Sequence, residues 1–269
     1  MDIFDYLFDT RKSNILEGVL GINHLDNLKS VLNVHFIEYL QSNKPESFKY
    51  LKLISDLNHQ VYDEEITKLP KYDTSNKEVV IVQDNKKMES ACKVIKRQRF
   101  VGYDTESRPV FQKGKPPSGI ALIQIATREK CFLFQMRQLT NISPLLELLK
   151  CDDIRKIGVG INNDNTTIFQ NFGCKISNVV DLSKVFQEVG NKRTIGSKQM
   201  VARVLNKNLE KKRKLSLSNW ELKSLSQQQI EYASDDAFSA LEVFLKLKNL
   251  FKQFNHFTPK RILSLLAVE

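Results

Sequence analysis

Two acidic residues that could bind a metal, Asp104 and Glu106, directly follow the apolar run at residues 100–103. If that run is a β-strand, the side chains of Asp104 and Glu106 point to one face, while that of Thr105 points to the other. Carboxylates held close together repel each other unless a cation lies between them, and hard divalent cations prefer oxygen ligands. The pair is therefore either half of a metal site or two exposed acids at the end of a strand.

Three further residues could complete such a site. Asp164 follows the apolar segment 156–160, where it is either a third carboxylate or the N-cap of a helix. Tyr232 and Asp236 are four residues apart in a segment with helical periodicity, so they share one helix face. A phenol beside a carboxylate can orient a water that a metal has polarised, although an ordinary amphipathic helix with a half-buried tyrosine has the same pattern.

Hydrophobic periodicity predicts the strands that must position these residues. Residues 1–70 have helical spacing, and the Pro-containing polar segment 69–76 is predicted to be a linker. Beyond it, three successive predicted strands, at residues 100–103, 120–125 and 131–134, are joined by short loops, which indicates antiparallel pairing. The predicted strands are residues 78–82, 100–103, 120–125, 131–134, 156–160 and 179–182.

Helices are predicted between and after these strands. One is residues 143–150, and the chain is mostly helical from about residue 163 onwards. This pattern predicts an α/β fold, a mixed sheet flanked by helices with an N-terminal helical segment. The predicted domains are a helical one at residues 1–70 and a second one at residues 71–269. A further helix is predicted to carry Met88, Ala91, Val94 and Ile95 on one face.

The composition limits the class of protein. Of the 269 residues, 41% are hydrophobic and 16 are Phe, enough for a core, so a disordered chain is excluded. Lys and Arg exceed Asp and Glu by ten, which favours a nucleic-acid partner over a basic surface kept for solubility. Four cysteines without zinc-binding spacing, and the lack of a signal peptide or membrane span, predict a soluble intracellular protein of the cytoplasm or nucleus with no membrane partner.

Three segments resemble the motifs of a known family. They are Gly102-Tyr-Asp104-Thr-Glu106-Ser-Arg108-Pro109 with Leu122-Ile-Gln124-Ile-Ala-Thr127, then Lys156-Ile-Gly-Val-Gly160-Ile-Asn-Asn-Asp164, and then Leu217-Ser-Asn-Trp220 with Leu225-Ser-Gln-Gln-Gln-Ile-Glu-Tyr232-Ala-Ser-Asp235-Asp236-Ala. In this order they resemble the three exonuclease motifs of the DEDD superfamily, in its DEDDy branch, which includes ribonuclease D and the Werner-syndrome exonuclease domain. The resemblance covers roughly residues 78–252.

The resemblance implies a ribonuclease H-like fold and a metal-dependent 3′–5′ exonuclease that hydrolyses phosphodiester bonds in RNA or DNA. It implies that Asp104, Glu106 and Asp236 hold one of two divalent ions. Asp104 would also contact the second ion, Asp164 would complete the set of acids, and Tyr232 would position the attacking water. Mg²⁺ or Mn²⁺ suits such an all-carboxylate site. The four His residues lie outside the motifs, which favours the tyrosine branch over a histidine general base.

Three positions depart from the family pattern or leave a choice. Ser107 stands where many relatives have an aromatic residue, and Asn165 where the pattern often has an apolar one. Asp235 is next to Asp236, but the spacing Tyr-x-x-x-Asp from Tyr232 selects Asp236. None of these departures removes a candidate carboxylate.

Contacts with the substrate are expected mainly at the phosphate backbone. The alternative interpretation of each candidate cation is a solvated surface residue. The basic run 211–214 has a further alternative, a nuclear import signal. Phe111 or Phe169 would stack on a terminal base, unless they are core residues. The candidate substrate-binding residues are Thr105, Arg108, Lys113, Lys115, Lys212 and Arg213, with Lys211 and Lys214 in the same run.

The predicted partner is a single-stranded or 3′-ended nucleic acid, and nothing in the sequence selects RNA or DNA. The alternative function is that of a weakly active or inactive exonuclease-fold protein that binds nucleic acid as an adaptor in a larger complex. The helices of residues 1–70 would recruit a protein partner, form part of the substrate channel or cap the catalytic core.

Overall fold

The structure, a computed structural model, describes residues 44–109, 118–191 and 193–268. Its strands are β1 Glu78–Val82, β2 Phe100–Ser107, β3 Ile120–Ala126, β4 Lys130–Gln135, β5 Arg155–Gly158 and β6 Val179–Asp181. Its α-helices are α1 Lys44–Asn58, α2 Asp63–Ile66, α3 Asn85–Ile95, α4 Ser143–Lys150, α5 Asn162–Phe172, α6 Leu182–Glu188, α7 Ser197–Leu205, α8 Arg213–Ser216, α9 Gln227–Gln253 and α10 Lys260–Leu265.

The six strands form one mixed sheet in the order β1-β4-β3-β2-β5-β6. β2 pairs with β3 and β3 with β4 in antiparallel fashion, as the short connections predict, and the other pairs are parallel. Every residue of β3 is buried, because this central strand is covered on both faces. The predicted α/β fold with a mixed sheet flanked by helices is confirmed.

The chain divides into two compact units. The second unit consists of Pro70–Leu182 and Asn208–Phe244, and it contains the whole sheet. The first unit consists of three segments, namely the chain up to Leu69, residues 183–207 and the chain from Leu245 onwards. These two later segments belong to the predicted domain 71–269, so the structure divides the chain differently from the prediction. Independent folding of the predicted domains stays a prediction.

Long-range contacts within the first unit explain this grouping. The ring of Tyr50 contacts those of Phe251 and Phe257, with centroids 6.5 and 5.8 Å apart. The Arg203 guanidinium donates a hydrogen bond to the Leu57 carbonyl at 3.0 Å. The helical prediction for the N-terminal region is confirmed at α1 and α2, while residues 1–43 lie outside the described residues. No described helix is long and apolar enough to cross a membrane.

Three local predictions need correction. On α3, Cys92 replaces Val94 on the buried face, because a thiol packs as a small apolar group, and Val94 is 37% exposed. The strand predicted at 156–160 ends at Gly158, since Gly160 has a left-handed φ of 69° that extended backbone excludes. The strand predicted at 179–182 ends at Asp181, and α6 begins at the next residue.

The segment 69–76 is tied to the second unit, although its composition predicts a linker. The Tyr72 amide donates to the Asn208 carbonyl, and the Asn208 amide donates to the Pro70 carbonyl, both at 2.8 Å. Lys71 and Asn208 form an isolated parallel bridge, and Tyr72 is only 2% exposed. These contacts fix the backbone of the loop that precedes α8.

Helix α9 approaches β2 so closely that only glycine fits between them. A Cβ atom on Gly102 would lie 1.8 Å from the Ala237 carbonyl oxygen. Ala237 follows Asp236, and Gly102 lies two residues before Asp104. The missing side chain therefore lets α9 bring Asp236 to the acidic end of β2.

We predict that Gly102→Ala pushes α9 away from β2. The clash involves backbone on both sides, so the free energy of unfolding should fall by about 2–3 kcal/mol. Denaturant unfolding measures this change. The control is Gly196→Ala, where an added Cβ has no atom within 4 Å and φ is negative, so the change should stay within about 1 kcal/mol. Wild-type stability in Gly102→Ala would contradict the close approach.

Candidate active site

Asp104 and Glu106 lie inside β2, which continues through Ser107. Antiparallel pairing places Asp104 opposite Gln124 and Glu106 opposite Leu122, and a bulge follows Glu106. The Thr105 amide donates to Asp104 Oδ1 at 2.9 Å. The sheet therefore fixes both acids on one face, as the alternation of a strand predicts.

Helix α9 contributes one acid to this site from its two neighbouring aspartates. Asp236 is 6% exposed, and its charge raises the pKa values of Asp104 and Glu106, so it lies beside them. Asp235 instead accepts a hydrogen bond from the Thr74 hydroxyl at 2.7 Å. The structure thus brings Asp236 to the β2 acids, which is the residue that the spacing from Tyr232 selects.

Asp164 lies in the first turn of α5, where Ile161 is the N-cap, so the N-cap alternative is wrong. The Thr105 hydroxyl donates a hydrogen bond to Asp164 Oδ1. Thr105 was predicted to bind substrate, but its side chain is almost fully buried and its hydroxyl is used by this carboxylate. The backbone of β2 therefore positions Asp104, and its side chains also hold Asp164.

Burial dominates the electrostatics of the four acids, and repulsion from neighbouring acids adds to it at Asp104 and Glu106. Burial raises the pKa of Asp104 well above its usual value, and the charges of Asp236 and Asp164 raise it further. Burial, followed by the charge of Asp104, raises the pKa of Glu106 to about 9. Burial likewise raises the pKa values of Asp164 and Asp236. The ionised site holds a concentration of negative charge that a cation would relieve.

Lys211 supplies one such cation, a role that the sequence did not reveal. Its Nζ forms an ion pair with Asp236 Oδ1 and lies 3.5 Å from the Tyr232 Oη. Nζ also lies 4.6 Å from the centroid of the Tyr232 ring, within cation–π range. Burial lowers the pKa of Lys211, but Asp236 and Tyr232 raise it by more, so the ammonium stays charged. In the sequence, Lys211 is only the first residue of a basic run.

Tyr232 lies between Lys211 and Trp220. The Trp220 indole is 1% exposed, and its ring centroid lies 6.1 Å from that of Tyr232. Burial, followed by the charge of Asp236, raises the pKa of Tyr232 to about 12. The phenol therefore keeps its proton near neutral pH and can donate a hydrogen bond beside Asp236.

The chemistry of the donor set fits hard divalent cations, because all four acids offer carboxylate oxygens. Within residues 44–109, 118–191 and 193–268, no three acidic, His or Cys side chains are arranged so that they could hold a metal ion together. Two of the four acids are instead engaged by neighbouring side chains. Thr105 holds Asp164, and Lys211 holds Asp236. A metal that bound all the acids would have to draw Asp236 away from Lys211.

The predicted substrate contacts occupy different environments. Arg108 is exposed, with Nη1 3.4 Å from Glu221 Oε2, and the unpredicted Arg137 donates to the same carboxylate, with Nη2 2.9 Å from Oε1. Lys212 is exposed, with Nζ 3.4 Å from Glu210 Oε2. Arg213 is exposed at the start of α8, and Phe169 is 57% exposed, so Phe169 is not a core residue. Phe111, Lys113 and Lys115 lie outside the described residues.

A profile of the 3′–5′ exonuclease family matches residues 79–252, nearly the range that the motifs cover. The chain belongs to this family. The predicted family is thus confirmed, and it is a family of exonucleases, which are hydrolases that act on nucleic acids.

Curated relatives of this exonuclease-family chain are longer than the matched region. The Arabidopsis thaliana 3′–5′ exonuclease is 31% identical over 175 residues, which cover 64% of this chain and 59% of that protein. The Mus musculus bifunctional 3′–5′ exonuclease/ATP-dependent helicase WRN is 35% identical over 153 residues, which cover 56% of this chain and 11% of that protein. The chain thus spans less than two thirds of the length of either relative.

Two solved structures share the fold of this chain. The Aedes aegypti Nibbler EXO domain has a TM-score of 0.60 at 21% identity, covering 75% of this chain and 99% of that one. Escherichia coli RNase D has a TM-score of 0.56 at 20% identity, covering 67% of this chain and 49% of that one. The predicted ribonuclease H-like fold is confirmed by these matches.

We predict that the hydrogen bond from the Thr105 hydroxyl to Asp164 stabilises the metal-free protein, which is studied in EDTA. Thr105→Val keeps the shape of the side chain but removes the donor to Asp164, so the free energy of unfolding at about pH 8 should fall by roughly 1–3 kcal/mol. Thr105→Ser keeps the donor and should lose less. Denaturant unfolding measures both variants. The reverse order, with valine more stable than serine, would show that Thr105 acts through packing.

Proposed function

We propose that this chain removes nucleotides from the 3′ end of RNA or DNA, using two divalent ions, Mg²⁺ or Mn²⁺. One observation carries the proposal. The charges of Asp236 from α9 and Asp164 from α5 raise the pKa values of Asp104 and Glu106 on β2, beside the protonated phenol of Tyr232. Such an arrangement destabilises the ionised protein unless a positively charged ligand binds there, and a family of metal-dependent nucleases explains why it is kept.

The acids divide naturally between two ions. The charge of Asp236 raises the pKa values of both Asp104 and Glu106, so these three carboxylates would hold one ion. Asp104 and Asp164 would hold the other. The bound ions would supply an activated water near neutral pH and neutralise charge on the departing 3′ oxygen. The role of the fold is to keep the carboxylates together and partly shielded from water, where their charges act most strongly.

Tyr232 is suited to orienting the attacking water. Its phenol keeps its proton, because burial and Asp236 raise its pKa to about 12, and it accepts rather than donates in its contact with Lys211. The O–H is therefore available to a water molecule beside Asp236. Packing against Trp220 limits the rotation of the ring.

Cations near the site would bind the phosphate backbone. Arg108 follows β2, and Glu221 holds it together with Arg137, so both guanidinium groups are pre-positioned for phosphate oxygens. Lys212 and Arg213 add exposed positive charge before the third motif. Lys113 and Lys115 stay predictions. A solved Trypanosoma brucei RNase D complex contains RNA U12, which makes RNA the first substrate to test.

A second function has one observation in its favour. Lys211 already satisfies Asp236 electrostatically, as a permanent internal cation would in an inactive exonuclease-fold adaptor. Retention of all four acids and of Tyr232 supports the enzyme more strongly, because an adaptor gains nothing from their mutual repulsion. A protein partner for the N-terminal helices stays a prediction.

We predict that the wild-type protein shortens 5′-end-labelled single-stranded RNA from its 3′ end with Mg²⁺ or Mn²⁺, and DNA is tested in parallel. The variant Asp104→Asn/Glu106→Gln keeps the shapes of the side chains but removes their charges. Its rate should fall by well over 10–100-fold, roughly the loss seen when even outer partners of metal ligands are removed. Gel analysis of the shortened products measures both rates.

Asp235→Asn is the matched control, because it removes a charge next to Asp236 but its carboxylate contacts Thr74 instead of the other acids. This variant should digest the substrate at close to the wild-type rate. Equal ladders from the wild type and the double variant would contradict the proposal. Intact substrate with the wild type under both metals, combined with retained RNA binding, would favour the adaptor.

A further inference from the structure

We propose that Lys211 is a tethered cation that competes with a divalent ion for Asp236 and thereby sets the metal concentration at which the site fills. This inference rests on the proposed function, since it concerns the same carboxylates. It assigns a role to a residue that lies outside the four acids and the tyrosine. Lys211 would act as a positioning residue, and no step of phosphodiester hydrolysis depends on it.

The contacts of Lys211 place it where it must interfere with a metal. Its ammonium pairs with Asp236 Oδ1, and Asp236 is only 6% exposed, so water can do little to replace a lost partner. The same ammonium also lowers the pKa values of Asp104 and Glu106, so its charge acts on both β2 acids as well as on Asp236.

A divalent ion and the ammonium are like charges that seek the same oxygens. Both cannot stay within contact distance of Asp236 without strong repulsion in a partly buried site. Metal binding must therefore displace Lys211, and the lost ion pair is subtracted from the metal affinity. In the absence of metal, the pair holds Asp236 and Tyr232 in place.

The backbone just before Lys211 is anchored, whereas its side chain is partly exposed to solvent. The bridge between Lys71 and Asn208 and the buried side chain of Leu209 anchor the loop just before Lys211. The side chain of Lys211 is 28% exposed. Rotation about its four flexible bonds can carry the ammonium towards solvent, so displacement needs no change in the fold.

The neighbouring residue provides a matched control. Lys212 carries the same charge and follows directly in sequence, but its side chain is 60% exposed and its Nζ lies 3.4 Å from Glu210 Oε2. Loss of Lys212 changes the net charge by the same amount as loss of Lys211. A difference between the two variants would therefore come from the contact with Asp236.

Calorimetric titration of the full chain with Mn²⁺ tests the inference without measuring activity. Lys211→Met should bind Mn²⁺ roughly tenfold more tightly than the wild type, because an ion pair to a shielded carboxylate no longer opposes binding. Lys212→Met should bind with nearly the wild-type affinity. Equal or weaker binding by Lys211→Met would overturn the inference and show that Lys211 is indifferent to the metal or helps to build its site.

A second variant and a comparison of Mn²⁺ binding by the wild type and the variant separate failure of this inference from failure of the proposed function. If Lys211→Met does not fold, Lys211→Gln takes its place, and the gain in melting temperature on adding Mn²⁺ should be larger than in the wild type. An equal or smaller gain overturns the inference. If neither the wild type nor the variant binds Mn²⁺, the proposed function fails together with the inference. If both bind it equally, the inference alone fails.

Discussion

Repulsion among four carboxylates is the constraint on which the rest of this site depends. Asp104, Glu106, Asp164 and Asp236 come from three elements of the second unit, and burial raises the pKa of each. A folded-state pKa above the unfolded one means that stability is lost as the pH rises through the unfolded value towards the folded one. The metal-free fold therefore disfavours ionisation of these acids: Glu106, with a pKa of about 9, keeps its proton at neutral pH, and any acid of the site that ionises does so against the cost of burial.

Three contacts bring the acids together or offset their charge. Gly102 lets α9 approach β2 closely enough to bring Asp236 to the strand, the Thr105 hydroxyl fixes Asp164, and Lys211 offsets part of the charge. The loop that carries Lys211 is itself tied down through Lys71 and Asn208. Because a buried ion pair stabilises less than its Coulomb energy suggests, Lys211 relieves the site without removing its demand for further positive charge.

Local features of the chain were predictable from sequence, and long-range ones were not. Residues 143–150 form the predicted helix, since periodicity and Pro144 at its start define it locally. Strand alternation predicts that Asp104 and Glu106 share a face, and helical spacing that Tyr232 and Asp236 do, whereas the resemblance to the exonuclease motifs joined Asp164 to them. By contrast, the burial of Tyr72, the pairing of Lys211 with Asp236 and the grouping of residues 183–207 with the N-terminal helices all join segments far apart in sequence. No periodicity within one segment encodes such contacts.

The most direct test compares the unfolding free energies of the wild type and Asp104→Asn at about pH 8, with EDTA and with Mn²⁺. Asparagine can still accept the Thr105 amide but carries no charge, so in EDTA the variant should be at least as stable as the wild type. Mn²⁺ at about 100 times its Kd should stabilise the wild type by about 2.7 kcal/mol and the variant by much less. A variant that is less stable in EDTA and gains as much as the wild type from Mn²⁺ would contradict the view that charge repulsion and metal binding organise this site.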